Sequence, residues 1–133
     1  MGIKQHLILD KYDWKITIYY TVNSIQKEEI LGKLNAIGCD KETRLSIKAN
    51  LDRGAENTGF TYSSYSSNES IMVIHKASCL GEFINTFEHE KNHLEMHICE
   101  ALSINPYSEE AAHLSGDLAQ LIFEKALYSI VEL

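Results

Sequence analysis

The segment between Ser78 and Pro106 constrains the fold of this chain more than any other. From about 80 to 102 the apolar side chains recur at helical spacing, and no proline interrupts them. The dipeptide Asn105–Pro106 then ends the pattern, because a residue before proline disfavours the helical conformation. The segment therefore predicts one long helix, with an apolar stripe made of Phe83, Phe87, Leu94, Ile98 and Ala101.

Strands and helices alternate in groups along the rest of the chain. The order is strands, two helices, strands, two helices, which predicts an α+β fold with a small antiparallel or mixed sheet and about four helices. The length of 133 residues fits a single domain, 1–133. The predicted elements are strands near 6–9 and 14–22, a helix with Ser24 as N-cap that ends at Gly38, a helix from Asp40 to about Asp52, strands near 60–64 and 71–74, and helices at about 80–102 and 108–129.

Charge and composition exclude several classes of function. The chain has 12 basic and 19 acidic residues, a net charge of −7, and its basic residues are scattered, so we expect no nucleic-acid partner. No apolar run approaches the roughly 20 residues of a membrane helix, so we expect no membrane partner. The three cysteines are too few for a disulfide scaffold, and residues 1–6 lack the apolar core of a signal peptide. These features together predict a cytoplasmic protein.

One motif in the long helix carries chemistry. Residues 89–93, His-Glu-Lys-Asn-His, fit the pattern H-E-x-x-H. Two histidines four positions apart lie on one face of a helix, where they can bind the same Zn²⁺ ion. Glu90 is placed beside that face to take a proton from a metal-bound water. The motif therefore predicts His89 and His93 as metal ligands and Glu90 as the general base.

A catalytic zinc site needs a third protein ligand. His97 is about 12 Å from His89 along an unbroken helix, too far to share the ion, so we expect the ligand to come from the next helix. Helical phase favours Glu110, which lies near the apolar stripe of that helix, over Glu109, which points away from it. His113 and Asp117 remain alternatives, and both glutamates would also favour the start of that helix electrostatically.

The motif on one helix, followed on the next by Glu110-Ala111-Ala112-His113-Leu114, resembles the short gluzincin-type zinc metallopeptidases. The resemblance is greatest to the small cytoplasmic proteins of this type from bacterial mobile elements and phages, and it covers residues 70 to 125. It implies a zincin-like domain and hydrolysis of a peptide or protein substrate. It also implies Zn²⁺ as the cofactor, with His89, His93 and Glu110 as ligands and Glu90 as base.

The resemblance further implies a substrate-binding edge strand above the metal, and the strand at 71–74 matches it. The donor of a hydrogen bond to the oxyanion stays open among four side chains, namely Tyr62, Tyr65, His75 and His113.

Lys91 departs from the family pattern, which usually has an uncharged residue at that position. We expect Lys91 to stay on the solvated side and to pair with Glu88 or Glu95. The departure leaves two functions open. The chain is predicted to be a zinc metallopeptidase, or alternatively a non-catalytic zincin-like interaction or regulatory module of a mobile element.

Overall fold

The computed structural model describes residues 2–130, with the side chains of residues 2–124. Within that range the chain forms a four-stranded mixed sheet and four α-helices, which confirms the α+β class. The long predicted helix is confirmed from its first residue to its last. The elements are β1 (Ile3–Leu9), β2 (Trp14–Tyr20), α1 (Ser24–Ala36), α2 (Lys41–Arg53), β3 (Gly59–Ser64), β4 (Glu69–Ile74), α3 (Leu80–Leu102) and α4 (Glu109–Ile130).

The sheet has the strand order β1-β2-β4-β3. β1 and β2 form an antiparallel hairpin, β2 and β4 are parallel, and β3 pairs antiparallel with β4. The prediction that the strand at 71–74 lies at an edge is therefore wrong, because β4 has a neighbour on each side. β3 is the edge strand on that side of the sheet. A run such as Ile71–Ile74 is continuously apolar because the strand is buried on both faces.

Helices cover both faces of the sheet and divide the core in two. On one face, Ile16, Ile18 and Met72 pack against α3 and α4. On the other face, Tyr19 and Val73 pack against α1 and α2. The alternation of side chains along β2 and β4 supplies both cores, since successive residues of a strand point to opposite faces.

α1 begins one residue earlier than expected. Asn23, not Ser24, is the N-cap: its side chain accepts a hydrogen bond from the backbone N–H of Gln26 at 2.8 Å. The side chain of Gln26 accepts in return from the N–H of Asn23, which completes a capping box.

The position of α3 determines the geometry of the candidate site. α3 packs beneath β3 and β4, and α4 packs beside it, beneath β1. The stripe from Phe83 to Ile98 is buried against the sheet, as predicted. Among the described residues, no helix is both long and apolar enough to cross a membrane.

Candidate functional site

The two histidines of the motif are brought together. His89 and His93 are both exposed, and their Nε2 atoms lie 3.2 Å apart. Their rings meet edge to face, with centroids 4.8 Å apart. The i, i+4 spacing on α3 thus produces the adjacent nitrogen pair that the motif predicts.

Glu90 is buried between α3 and the edge strand rather than open to the solvent. Its side chain is 5% exposed. The hydroxyl of Thr61 in β3 donates to Glu90 Oε1 at 2.8 Å and lies 3.2 Å from the Glu90 carbonyl oxygen. Gly59 lies two residues before Thr61 on the same face of β3. Because it has no Cβ atom, it leaves room for the Glu90 side chain, which a Cβ atom at that position would contact. Glu90 therefore connects α3 to β3.

The sequence predicts that Lys91 lies on the solvated side of α3, and this prediction is wrong. Lys91 is buried and only 4% exposed. Its ammonium group forms an ion pair with Glu95 at 2.5 Å and donates to Ser115 of α4 at 3.1 Å. Ser115 also donates to the Glu95 carboxylate at 3.0 Å. The expected partner Glu95 is correct, and the burial follows because this side of α3 faces α4.

Glu110 lies away from the histidine pair. Its carboxylate accepts a hydrogen bond from the Tyr12 hydroxyl at 3.0 Å. It lines a shallow cleft of about 480 Å³ with residues 10–13 and 102–104, beside the C-terminal end of α3. Burial raises the pKa of Tyr12, and the bond to Glu110 adds to that shift.

Helical phase explains why α4 does not reach the histidines. Lys91 points at α4, and at about 100° per residue both His89 and His93 point roughly 160° away from Lys91. Glu109 lines the cleft between α3 and α4, and His113 and Asp117 are exposed on α4. Among residues 2–124, no three His, Cys, Asp or Glu side chains are placed to hold one metal ion.

The donor set of this structure therefore does not fit a three-ligand catalytic zinc site. It fits a chelating pair, because the side chains of His89 and His93 converge.

A chain of hydrogen bonds that the sequence does not predict ends at His97. Trp14 Nε1 donates to Ser70 Oγ at 2.8 Å, Ser70 Oγ lies 2.6 Å from Ser63 Oγ, and Ser63 Oγ lies 2.7 Å from His97 Nδ1. Burial lowers the pKa of His97, the charge of His93 lowers it further, and Glu100 opposes both. The chain fixes the ring of His97 against β3.

The four proposed oxyanion donors are spread over the molecule. Tyr62 belongs to the core beneath α1 and α2, and His75 is buried with its Nε2 2.8 Å from Asn50 Oδ1. His113 lies on α4. Tyr65 lies beside α3, with its ring centroid 6.2 Å from that of His97.

The sequence does contain a signal for the β3 residues that contact α3. Alternation predicts Phe60, Tyr62 and Ser64 on one face of the strand and therefore places Gly59, Thr61 and Ser63 on the other. That second face is small and polar, and it contacts α3 through Glu90 and His97.

No protein-family model, curated protein or solved structure matches this chain.

Proposed function

We propose that this protein is a non-catalytic, zincin-like binding module. Its binding surface, here called the His edge, consists of His89, His93 and the outer edge of β3. One observation carries the proposal: Glu90 bonds to Thr61 of the edge strand β3, and its neighbour His89 lines a cleft with Gly59 at the start of that strand. The partner is a peptide or protein segment that binds in extended form.

Among the residues that the structure describes, none forms a hydrogen bond with the backbone groups on the outer edge of β3. His75 N–H donates to the Thr58 carbonyl oxygen, and the carbonyl oxygen of Ile74 accepts from Thr21 on the other side of β4. Because the groups of successive residues alternate in direction, residues 58, 60, 62 and 64 bond to β4. Gly59, Thr61 and Ser63 therefore direct their N–H and C=O groups outward, where an added strand can pair with them.

The histidine pair supplies the second half of the surface. Zn²⁺ in proteins is usually bound by four ligands, and two imidazoles at i and i+4 provide two of them. We expect His89 and His93 to hold Zn²⁺, leaving the remaining positions for donors of the bound partner. Glu110, held by Tyr12 on the other side of α3, is not needed for this role.

Peptide hydrolysis is the second candidate function. His89, Glu90 and Gly59 line one cleft of about 240 Å³, which places the motif at an accessible surface. Hydrolysis would also need Glu90 to leave Thr61 and a third ligand to reach the histidines. The binding module needs neither change, and for that reason it comes first.

Zinc titration of untagged, chelator-treated protein tests the proposal. We expect calorimetry to show zinc binding to the wild type, and His89→Ala or His93→Ala to abolish it. Glu110→Gln and His113→Ala are the matched controls and should bind zinc as the wild type does. Bound zinc should also raise the melting temperature, because a ligand that binds only the folded state stabilises it.

The outcomes separate the two functions. If Glu110→Gln lost zinc together with the histidine variants, the three-ligand peptidase site would be correct. Cleavage of an unfolded protein by the zinc-loaded wild type, absent in Glu90→Gln, would establish the peptidase. If the wild type bound no zinc at neutral pH, the metal-binding role of the His edge would be wrong.

A further inference from the structure

We propose that the partner of the His edge is a second copy of this chain, and that two copies complete one zinc site with His89 and His93 from each. The inference rests on the proposed function, since it names the partner of that same surface. It begins with the incomplete ligand set. One copy brings two nitrogens together, and a closed zinc site requires four ligands.

The edge of β3 is suited to pair with itself. Its three outward residues, Gly59, Thr61 and Ser63, are symmetric about Thr61. In an antiparallel pair centred there, Thr61 faces Thr61 of the partner subunit and Gly59 faces Ser63 of the partner subunit. This pairing would form about six backbone hydrogen bonds and join the two sheets. The interface is isologous, as in a two-fold symmetric dimer.

The centre of that pairing lies level with the histidines. Thr61 is bonded to Glu90, so the midpoint of the β3 edge is beside the helical turn that contains His89 and His93. Both histidines point away from α4, which packs on the opposite side of α3. A two-fold axis midway between Thr61 and Thr61 of the partner subunit would place the two α3 helices side by side beneath the joined sheet, with their histidines facing one another.

The charges explain why the pairing should depend on metal. β3 itself, Gly-Phe-Thr-Tyr-Ser-Ser, contains no charged residue and no proline, the features that usually protect an edge strand. However, each copy has a net charge of −7, and Glu82 and Glu100 share the histidine side of α3. Two acidic copies repel one another, and a dication held between them is the complementary charge.

Measurement of mass with and without zinc tests the inference. Sedimentation equilibrium of the full chain at micromolar concentration should give a monomer in EDTA and a dimer with added Zn²⁺. The dimer should contain one zinc for two chains. His89→Ala and His93→Ala should remain monomeric in zinc, whereas His113→Ala, which removes an exposed histidine of α4, should dimerise like the wild type.

Hydrogen exchange locates the interface independently of the histidine variants. Zinc should slow exchange at the outward amides of Gly59, Thr61 and Ser63 by at least tenfold. The amides of Lys4 and His6 in β1, the other edge strand, should exchange at an unchanged rate. A dimer without protection at β3 would overturn the inference, because the copies would meet elsewhere.

The stoichiometry separates this inference from the proposed function. A monomer that binds one zinc per chain would contradict the dimer and leave the His edge as a metal-binding surface for another protein. A dimer that persists in EDTA would contradict the shared zinc site. Absence of any zinc binding would contradict both proposals.

Discussion

Two adjacent residues of α3 show how burial changes the role of a charged side chain. Glu90 and Lys91 are both at least 95% buried, yet they face different neighbours. Glu90 bonds to Thr61 of β3, and Lys91 bonds to Glu95 and to Ser115 of α4. The motif H-E-x-x-H specifies residue types and spacing, whereas these contacts depend on which elements pack against each side of the helix.

The buried pair of Lys91 and Glu95 gives a prediction at this scale. Glu95→Ala should lower the free energy of unfolding by about 3 kcal/mol, because it leaves the Lys91 ammonium buried without its carboxylate. Lys91→Met should lower the free energy of unfolding by less. Met fills a similar volume, and the Glu95 carboxylate still accepts a hydrogen bond from the Ser115 hydroxyl and contacts some water. Urea unfolding of the two variants measures both values.

An exposed pair of the same spacing, Lys48–Asp52, is the control. Lys48→Met should leave the unfolding midpoint nearly unchanged, because exposed ion pairs contribute little. If Lys91→Met were as destabilising as Glu95→Ala, the cost would not come from an unpaired buried charge.

His75 should make the stability depend on pH. Burial lowers the pKa of His75, and the charges of Lys27 and Arg53 lower it further. The unfolded chain therefore binds a proton at a higher pH than the folded chain does. The free energy of unfolding should fall as the pH drops below about 6.5, by at most about 1.4 kcal/mol per pH unit from this group.

His75→Gln removes that titration and keeps a polar group near Asn50. Urea midpoints at pH 7.5 and 5.5 should differ less in His75→Gln than in the wild type. Equal pH dependence in both proteins would show that His75 does not contribute. The stability of His75→Gln should still depend on pH, but less than that of the wild type, because the pKa of His97 is also lowered.

At the scale of elements, the sequence predicted most helices and strands and fewer of their relations. The apolar stripe from Phe83 to Ile98 predicted α3 because it reflects local periodicity. The N-cap was placed at Ser24 rather than Asn23 because both residues are good caps, and the capping box with Gln26 decides between them.

The sheet order could not be predicted in the same way. A continuous apolar run such as Ile71–Ile74 shows that a strand is buried, but it does not say which strands lie beside it. In the same way, helical spacing predicts that His89 and His93 lie side by side, which the structure confirms, but it does not predict which side of α3 packs against α4. Helical phase gives the direction of each side chain, whereas the packing of α4 against the Lys91 side is set by the whole fold.

The contact between β3 and α3 gives a prediction about glycine. Gly59→Ala should destabilise the protein by about 2 kcal/mol, because the added Cβ would overlap the Val73 carbonyl oxygen and contact Glu90. Gly32→Ala in α1 is the matched control. No atom lies within 4 Å of its added Cβ, so alanine should stabilise the helix by about 0.5–1 kcal/mol.

Thermal unfolding of both variants measures the difference. If Gly59→Ala were neutral, β3 would have to lie farther from the Val73 carbonyl oxygen of β4, and from Glu90 of α3, than the structure has it. The position of the His edge depends on the contact between Gly59 and Glu90, so this substitution also bears on the proposed binding surface.

At the scale of the whole molecule, charge is distributed unevenly between the two helical layers. By sequence, α3 and α4 contain nine acidic residues and two lysines, whereas α1 and α2 contain six basic and four acidic residues. The carboxylates of the layer formed by α3 and α4, which bears the His edge, therefore repel one another. In the layer formed by α1 and α2 the positive and negative charges nearly cancel. Lys91 is buried in its pair with Glu95, so it does not offset the exposed carboxylates.

This asymmetry predicts that salt stabilises the metal-free monomer. Raising NaCl from about 10 to 300 mM in EDTA should increase the urea midpoint, because added salt shortens the Debye length to well below the spacing of most surface charges. Glu88→Gln and Glu109→Gln, which remove exposed carboxylates of α3 and α4, should each reduce that increase. Glu28→Gln in the balanced layer should leave it unchanged. A midpoint that falls with salt would mean that attraction within or between the layers outweighs the repulsion of the acidic layer. An equal effect of all three substitutions would mean that the repulsion is not concentrated in the layer formed by α3 and α4.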